Sequence, residues 1–278
     1  MRSIPLGISR LDSIIGGGVP PGSVVLLAGE SGAGAREFVH TSAAMSALAR
    51  TAPDLFDLHY GPLAADASVP REVHYLSFTA GEDALAREMA YTMDGDVVEA
   101  AVDGIDVRDF SAEYFQLSPV PRDWYVGEAT ALSDLGARRD RTDVLAALGD
   151  YLSANAAGNL VLVDSVTDLV GATGEELSWT DVTMLVKGLA KASHRWGGVI
   201  LLLVNRETLA PTELGHLADA ASGTITFEWE SGGSQRARTM VVREFRGVLP
   251  RLESEDIVRF EAEIGEAGFD VSDVRKIR

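Results

Sequence analysis

The chain has 278 residues, of which 46% are hydrophobic, and its 42 acidic and 24 basic residues give a formal net charge of −18. This length fits one large α/β domain or two small ones, and so acidic a surface repels phosphate backbones, which argues against broad nucleic-acid binding. The absence of cysteine excludes disulfides, thiolate metal sites and cysteine nucleophiles. No apolar signal segment opens the chain and no apolar run approaches the ~20 residues that span a membrane, so we expect a cytoplasmic protein.

The basic residues are almost all arginine. The only lysines are Lys187, Lys191 and Lys276. Low lysine with many acidic residues and alanines is typical of proteins adapted to high salt, and compositional drift is the alternative. In molar salt the Debye length falls to about 3 Å, so the self-repulsion of the acidic surface would be screened. The composition therefore indicates a halophilic, archaeal type of protein.

Predicted strands and helices alternate along most of the chain. Short β-branched apolar runs predict buried parallel strands, and apolar residues at helical spacing predict helices. In chain order we expect a strand at Ser23–Gly29, a helix at 35–50, a strand at 71–78, a helix at 82–93, a weak strand at 105–111, a helix at 141–156, a strand at 159–165, a helix at Trp179–Trp196 and a strand at 197–205. From residue 223 onward, alternating polar and apolar residues predict antiparallel strands.

Two segments do not fit this alternation. Residues 51–70 are rich in proline, glycine and aspartate and predict a long surface loop, and residues 115–141 are irregular. We interpret both as loops or insertions in a single domain spanning residues 1–278. The predicted fold class is α/β, a mainly parallel sheet flanked by helices and extended by C-terminal antiparallel strands.

A glycine-rich segment follows the first predicted strand and precedes the first long helix. It consists of Gly29, Glu30, Ser31, Gly32, Ala33, Gly34, Ala35 and Arg36. Gly29 and Gly34 have the spacing of the phosphate-binding P-loop, G-x-x-x-x-G-K-[ST], and backbone N–H groups at a helix N-terminus could hold an anion. A simple glycine-rich turn between strand and helix is the alternative.

The side chains that give a P-loop its chemistry are missing. Ala35 occupies the lysine position, Arg36 occupies the position of the magnesium-binding Ser or Thr, and Glu30 adds negative charge. Arg36 could replace the lysine through a shifted loop, which would bring Glu37 to the metal position, but arginine and lysine are not interchangeable.

The opening of the chain resembles the RecA superfamily and, within it, the KaiC-like proteins. The family phrase G-[IV]-x-x-L-D-x-[LI]-[LI]-G-G-G-[IV]-P-x-G-S is matched in order by Gly7, Leu11, Asp12, Gly16, Gly17, Gly18, Pro21, Gly22 and Ser23. Later segments also resemble the family, namely HYLSF, NLVLVDSVTDLV, VREFRG and the closing hairpin. The resemblance implies a RecA-like P-loop NTPase fold over nearly the whole chain.

The resemblance also identifies further functional positions and further losses. It places Asp164 and Ser165 at the Walker B position, where the aspartate could order a magnesium-bound water. Thr79 and Ala80 stand where active members have paired catalytic glutamates. In the late strand Glu244 replaces a lysine that reaches the neighbouring subunit's nucleotide, whereas Arg246 is kept as a candidate inter-subunit residue.

Several losses at separate positions favour a non-catalytic regulatory or interaction protein, a pseudo-ATPase. No cofactor would then be required, although ATP with magnesium remains possible at the degenerate loop. The family's ring-forming habit implies that the partner is the chain itself, an active KaiC-like relative or another regulatory protein, in signalling or regulation. The alternatives are a divergent ATPase that uses Arg36 in place of the lysine, and a recombinase-like DNA-binding subunit, which the acidic composition disfavours.

Overall fold

A computed structural model describes residues 2–116, 118–125, 144–171, 178–232, 235–248 and 257–276. Most of the segment predicted to be irregular, 115–141, lies outside these ranges, as do the first three residues of the helix predicted at 141–156. In the described part of the chain, no helix is long and apolar enough to cross a membrane.

The described strands form one sheet in the order β3-β2-β4-β5-β1-β6-β7-β8-β9. Neighbours among β1 to β6 pair in parallel, and β6 to β9 pair antiparallel. The strands are β1 (Ser23–Gly29), β2 (Val73–Ser77), β3 (Ile105–Asp109), β4 (Leu160–Asp164), β5 (Val199–Asn205), β6 (Gly223–Gly232), β7 (Gln235–Phe245), β8 (Ile257–Gly265) and β9 (Gly268–Lys276). The predicted fold class, a mainly parallel sheet with an antiparallel extension, is confirmed.

Helices cover both faces of the sheet. They are α1 (Ser9–Ile15), α2 (Ala35–Thr51), α3 (Pro53–His59), α4 (Glu82–Met89), α5 (Gly95–Val102), α6 (Ser111–Tyr114), α7 (Val144–Asn155), α8 (Val166–Gly171), α9 (Trp179–Trp196) and α10 (Pro211–Ala220). Successive residues of a strand point to opposite faces, so Val25 and Leu27 pack with the cluster under α1 to α5, and Val24 and Leu26 with the one under α7 to α10. Every residue of β1 is buried as a result.

The parallel register brings the functional ends of the strands together. Gly29, the last residue of β1, pairs with Asn205 of β5 on one side and with Phe227 of β6 on the other. On the far side of β5, Asp164 closes β4 beside Ser77 of β2. The glycine-rich loop and the Walker B position therefore share the carboxyl edge of the sheet, with β5 between them, where α/β sheets bind ligands.

The prediction of a long loop over residues 51–70 is wrong for its first part, which is helical, whereas residues 60–70 contain no helix or strand. The helix α3 occupies Pro53–His59, beginning with a proline at its first position, where the missing N–H has no intrahelical partner to lose. The Phe56 ring is buried and stacks on Tyr60 at a centroid distance of 4.7 Å, which fixes the segment against the core. Pro53, Asp54 and Asp57 therefore belong to a helix, and the other prolines and aspartate of the segment lie in the loop that follows it.

Asp12, from the opening phrase, links the N-terminal segment to the core through its side-chain hydrogen bonds. Its buried carboxylate accepts hydrogen bonds from the Leu6 and Gly7 amides at 2.8 and 2.9 Å and from the Tyr60 hydroxyl at 3.0 Å. Burial raises the pKa of Asp12 to about 7, against the lowering effect of these hydrogen bonds. The last residue of the glycine run 16–18 must be glycine, because Gly18 has φ +119° and an added Cβ would lie 2.1 Å from the Ile4 carbonyl oxygen.

Candidate functional site

The glycine-rich loop joins β1 to α2 and borders a cavity of about 330 Å³. Gly32 and Gly34 have φ values of +72° and +107°, in the region that favours glycine. At Gly34 an added Cβ would also lie 2.9 Å from Cε2 of Phe269 in β9. The loop thus has the backbone bends and the helix start of an anion-binding turn.

Ala35 gives the cavity no cationic side chain. It is 6% exposed, and its Cβ would lie 2.5 Å from a Cβ built at Gly29, so it packs back against the strand end. The alanine therefore puts no charge where the P-loop lysine would stand, and within the described residues the only basic side chain lining the cavity is Arg36.

Arg36 is already paired with the Walker B aspartate. Its Nη2 lies 3.0 Å from Oδ1 of Asp164, and its Nη1 lies 3.8 Å from Oε2 of Glu88 in α4. Burial opposes the charge on Arg36, but these neighbours outweigh it, so the pKa of Arg36 stands above its ordinary value. The guanidinium therefore stays charged and is held toward β4 and α4.

The second oxygen of Asp164 is also engaged. The buried Tyr75 hydroxyl in β2 donates to Oδ2 at 2.6 Å. Burial, followed by the Asp164 charge, raises the pKa of Tyr75 well above its ordinary value, so the phenol remains a donor. Asp164, which is 8% exposed, therefore forms an ion pair with Arg36 through one oxygen and a hydrogen bond with Tyr75 through the other.

Magnesium does not fit this arrangement. A magnesium-bound water would donate to an oxygen of Asp164, and both oxygens already accept, from Arg36 and from Tyr75. The adjacent Ser165 is turned to Asp168, which accepts from its N–H at 3.0 Å and its hydroxyl at 2.7 Å. Across the described ranges, no group of three or more His, Cys, Asp or Glu residues could hold a metal ion.

A carboxylate from another part of the chain contacts the loop. Oε2 of Glu207, in a short 3₁₀ turn (Arg206–Thr208) after β5, accepts from the Ser31 N–H at 3.0 Å and from the Ser31 hydroxyl at 2.7 Å. Asn205 orients this turn, since its Oδ1 accepts from the Glu207 N–H at 3.0 Å. Sequence reasoning missed Glu207, and the only available signal was its position two residues after a predicted strand, at the carboxyl edge.

The antiparallel extension holds the loop from the other side. Glu30 accepts from the Trp229 backbone N–H at 2.9 Å, and the Trp229 indole donates to the Ser31 carbonyl at 3.0 Å. Arg238 lies over the Trp229 ring at 4.8 Å and donates to the Gly32 carbonyl at 3.0 Å. Glu30, predicted to repel phosphate, is therefore a tether between β6 and the loop.

The remaining predicted positions lie outside the cavity lining. Thr79 and Ala80 follow β2, and their N–H groups lie 3.4 and 3.1 Å from the Ser77 hydroxyl oxygen, so neither position offers a carboxylate. Glu244 is exposed on β7, and Arg246 is exposed in the turn that follows it. The structure brings together the loop, Arg36 and Asp164, and leaves Arg246 apart from them.

Comparison with solved structures identifies this architecture as a RecA-like ATPase fold. A KaiC-like protein from the hyperthermophilic archaeon Pyrococcus horikoshii is similar over 98% of this chain and 99% of its own, with a TM-score of 0.62 and 19% identity. The flagellar accessory protein FlaH from Methanocaldococcus jannaschii is similar over 95% of both chains, with a TM-score of 0.60 and 14% identity. No protein-family model and no curated protein matches the chain. At these identities the likeness establishes the fold alone.

Proposed function

We propose that this protein is a non-catalytic regulatory or interaction protein, a pseudo-ATPase on a RecA-like frame. The observation that carries the proposal is the 3.0 Å pair between Arg36 and Asp164. In this pair a guanidinium from the loop occupies the carboxylate that would otherwise order the metal. The site is thus closed by a contact of its own, in addition to lacking catalytic side chains.

The scale of the losses supports the absence of hydrolysis. Phosphoryl transfer depends on positioning and on neutralising charge, and here the lysine, the metal hydroxyl and both glutamates are replaced, by Ala35, Arg36, Thr79 and Ala80. Loss of one such electrostatic contact costs on the order of 3 kcal/mol of transition-state stabilisation. Several losses together would leave turnover near the uncatalysed rate.

An exposed arginine supports the proposed interaction role. Arg246 is exposed after β7, and within the described ranges no ion pair engages its side chain. An exposed arginine can pair with a carboxylate or phosphate of another molecule. The partner that we propose is a second copy of this chain or an active protein of the same fold, in signalling or regulation.

The proposal is tested by calorimetric titration of Mg-ATP into the purified chain in high potassium chloride, with phosphate release and light scattering on the same sample. We expect no phosphate release, and assemblies that shrink in Arg246→Ala but not in the exposed control Arg87→Ala. A repaired loop, Ala35→Lys with Arg36→Thr, should still release no phosphate because Thr79 and Ala80 remain. Phosphate release by the wild-type chain would overturn the proposal.

The divergent ATPase that uses Arg36 is distinguished by the same titration. It requires saturable ATP binding that disappears in Arg36→Ala together with measurable turnover. Half of the Arg36 side chain is exposed at the cavity, so a phosphate could reach it only by competing with Asp164. A recombinase-like role requires DNA binding at low salt, which the net charge of −18 opposes.

A further inference from the structure

Glu207 places a carboxylate oxygen on donor groups of the glycine-rich loop. The Ser31 N–H lies in the loop between Gly29 and Gly32, and its partner is a carboxylate oxygen rather than a backbone carbonyl. The same oxygen accepts the Ser31 hydroxyl, and the Asn205 amide lies 3.4 Å from that hydroxyl. A carboxylate that accepts a backbone N–H and a hydroxyl makes the contacts that a phosphate oxygen makes in such a turn.

We infer that Glu207 is an autoinhibitory ligand of the glycine-rich loop, a built-in competitor that a phosphate-type anion must displace to bind there. The inference rests on the proposed function, since it deepens the account of the same self-occupied site. It concerns a different half of that site, because Arg36 blocks the metal position at Asp164, whereas Glu207 blocks the anion position at Ser31.

Glu207 lies at the surface, where solvent can replace the loop as the partner of its carboxylate. The residue is exposed and lies in a three-residue 3₁₀ turn, and the Asn205 side chain accepts from its backbone N–H. Ser31 and Gly32 are also exposed, so the donor group faces solvent once the carboxylate turns away. The loop itself would keep its shape, because Trp229 and Arg238 tether its carbonyl oxygens independently of Glu207.

Two substitutions separate the contributions of charge and of contact. Glu207→Gln removes the charge but keeps an acceptor for Ser31, whereas Glu207→Ala removes both. The matched control is Glu99→Gln, which makes the same change in net charge on α5. Glu99 adjoins Ala100, whose carbonyl accepts from Thr51 at the far end of α2, about 24 Å along that helix from the loop.

The experiment is calorimetric titration of inorganic pyrophosphate, without metal, into the wild-type chain and the three variants, with melting curves to verify folding. We expect about tenfold tighter binding for Glu207→Ala, the ratio that corresponds to one lost charge-assisted hydrogen bond, a smaller gain for Glu207→Gln, and no change for Glu99→Gln. Equal binding in wild type and Glu207→Ala would overturn the inference, and so would an equal gain in Glu99→Gln. These readings need no hydrolysis, so they stand apart from the phosphate-release assay that tests the proposed function.

Discussion

Removing the Arg36 side chain should destabilise the fold through the carboxylate that it leaves behind. In Arg36→Ala, the Tyr75 hydroxyl would be the one side-chain partner left to Asp164 among the described residues, in a position where the Asp164 side chain is 9% exposed. Breaking a fully buried pair costs about 3–5 kcal/mol and an exposed pair less than about 1 kcal/mol. Because Arg36 is 52% exposed and Asp164 is buried, we expect a loss of about 2 kcal/mol in the free energy of unfolding.

The assay is urea unfolding at a fixed potassium chloride concentration for wild type, Arg36→Ala, Asp164→Asn and the double variant. The double-mutant cycle should give a coupling energy of about 1–2 kcal/mol, since Asp164→Asn removes the charge that needs compensation. The exposed arginine Arg87, whose Nε donates to the Asp83 carbonyl within α4, is the control, and its change to alanine should stay within about 0.5 kcal/mol.

A magnesium arm tests whether the guanidinium blocks a metal position. Millimolar magnesium should raise the unfolding midpoint of Arg36→Ala, in which Oδ1 of Asp164 is vacated, and leave wild type unchanged, because a ligand stabilises only a state that binds it. A coupling energy near zero would refute the account of the pair. Equal magnesium stabilisation of wild type and variant would refute the account of the blocked metal position.

Two further predictions concern α2 and the glycine-rich loop that precedes it. Burial, with the Arg36 charge second, lowers the pKa of His40 from 6.5 to about 3. As the pH falls, the unfolded chain therefore binds this proton before the folded chain does. The stability that neutral His40 contributes is complete above pH 6.5 and should fall toward pH 3 by up to about 1.4 kcal/mol per pH unit. Urea midpoints from pH 7 to 5 should therefore fall less steeply in His40→Phe than in wild type, and parallel profiles would contradict this. Gly34→Ala should lower the free energy of unfolding by about 2 kcal/mol, because φ is +107° and the new Cβ meets Phe269. The control Gly215→Ala, inside α10 with nothing within 4 Å of the new Cβ, should raise it by up to about 1 kcal/mol. Thermal melting measures both changes, and equal effects would contradict the strain assigned to the loop.

Much of the sheet could be predicted because its strands carry their own signals. β1, β4 and β5 are short runs of valine, isoleucine and leucine next to glycine or a polar residue, and buried parallel strands need such runs on both faces. The short helices were harder. α1, α5 and α10 have ten residues or fewer, and α3 lies in a segment whose proline and aspartate content favoured a loop. For α3, packing of Phe56 decided the outcome, and packing is a tertiary property.

The site shows a similar division between local and distant information. Glycine spacing predicted the bend of the loop, since Gly32 and Gly34 need only their own backbone conformations. The partners of the loop could not be predicted, because the Ser31–Glu207 contact spans 176 residues and the Tyr75–Asp164 contact spans 89. Such pairs depend on strand order, which places β5 between β1 and β4 and is not written in any one segment.

Two contacts within the site, Arg36–Asp164 and Ser31–Glu207, bear on how the lost side chains are interpreted. A loop that had only lost its lysine would leave a buried carboxylate at Asp164 without a cationic partner, which costs free energy, and would leave the exposed Ser31 donor to water. Here Arg36 pairs with the first, and Glu207 accepts from the second. Under the inference drawn above, a phosphate-type ligand would therefore compete with Glu207 for the Ser31 N–H and hydroxyl.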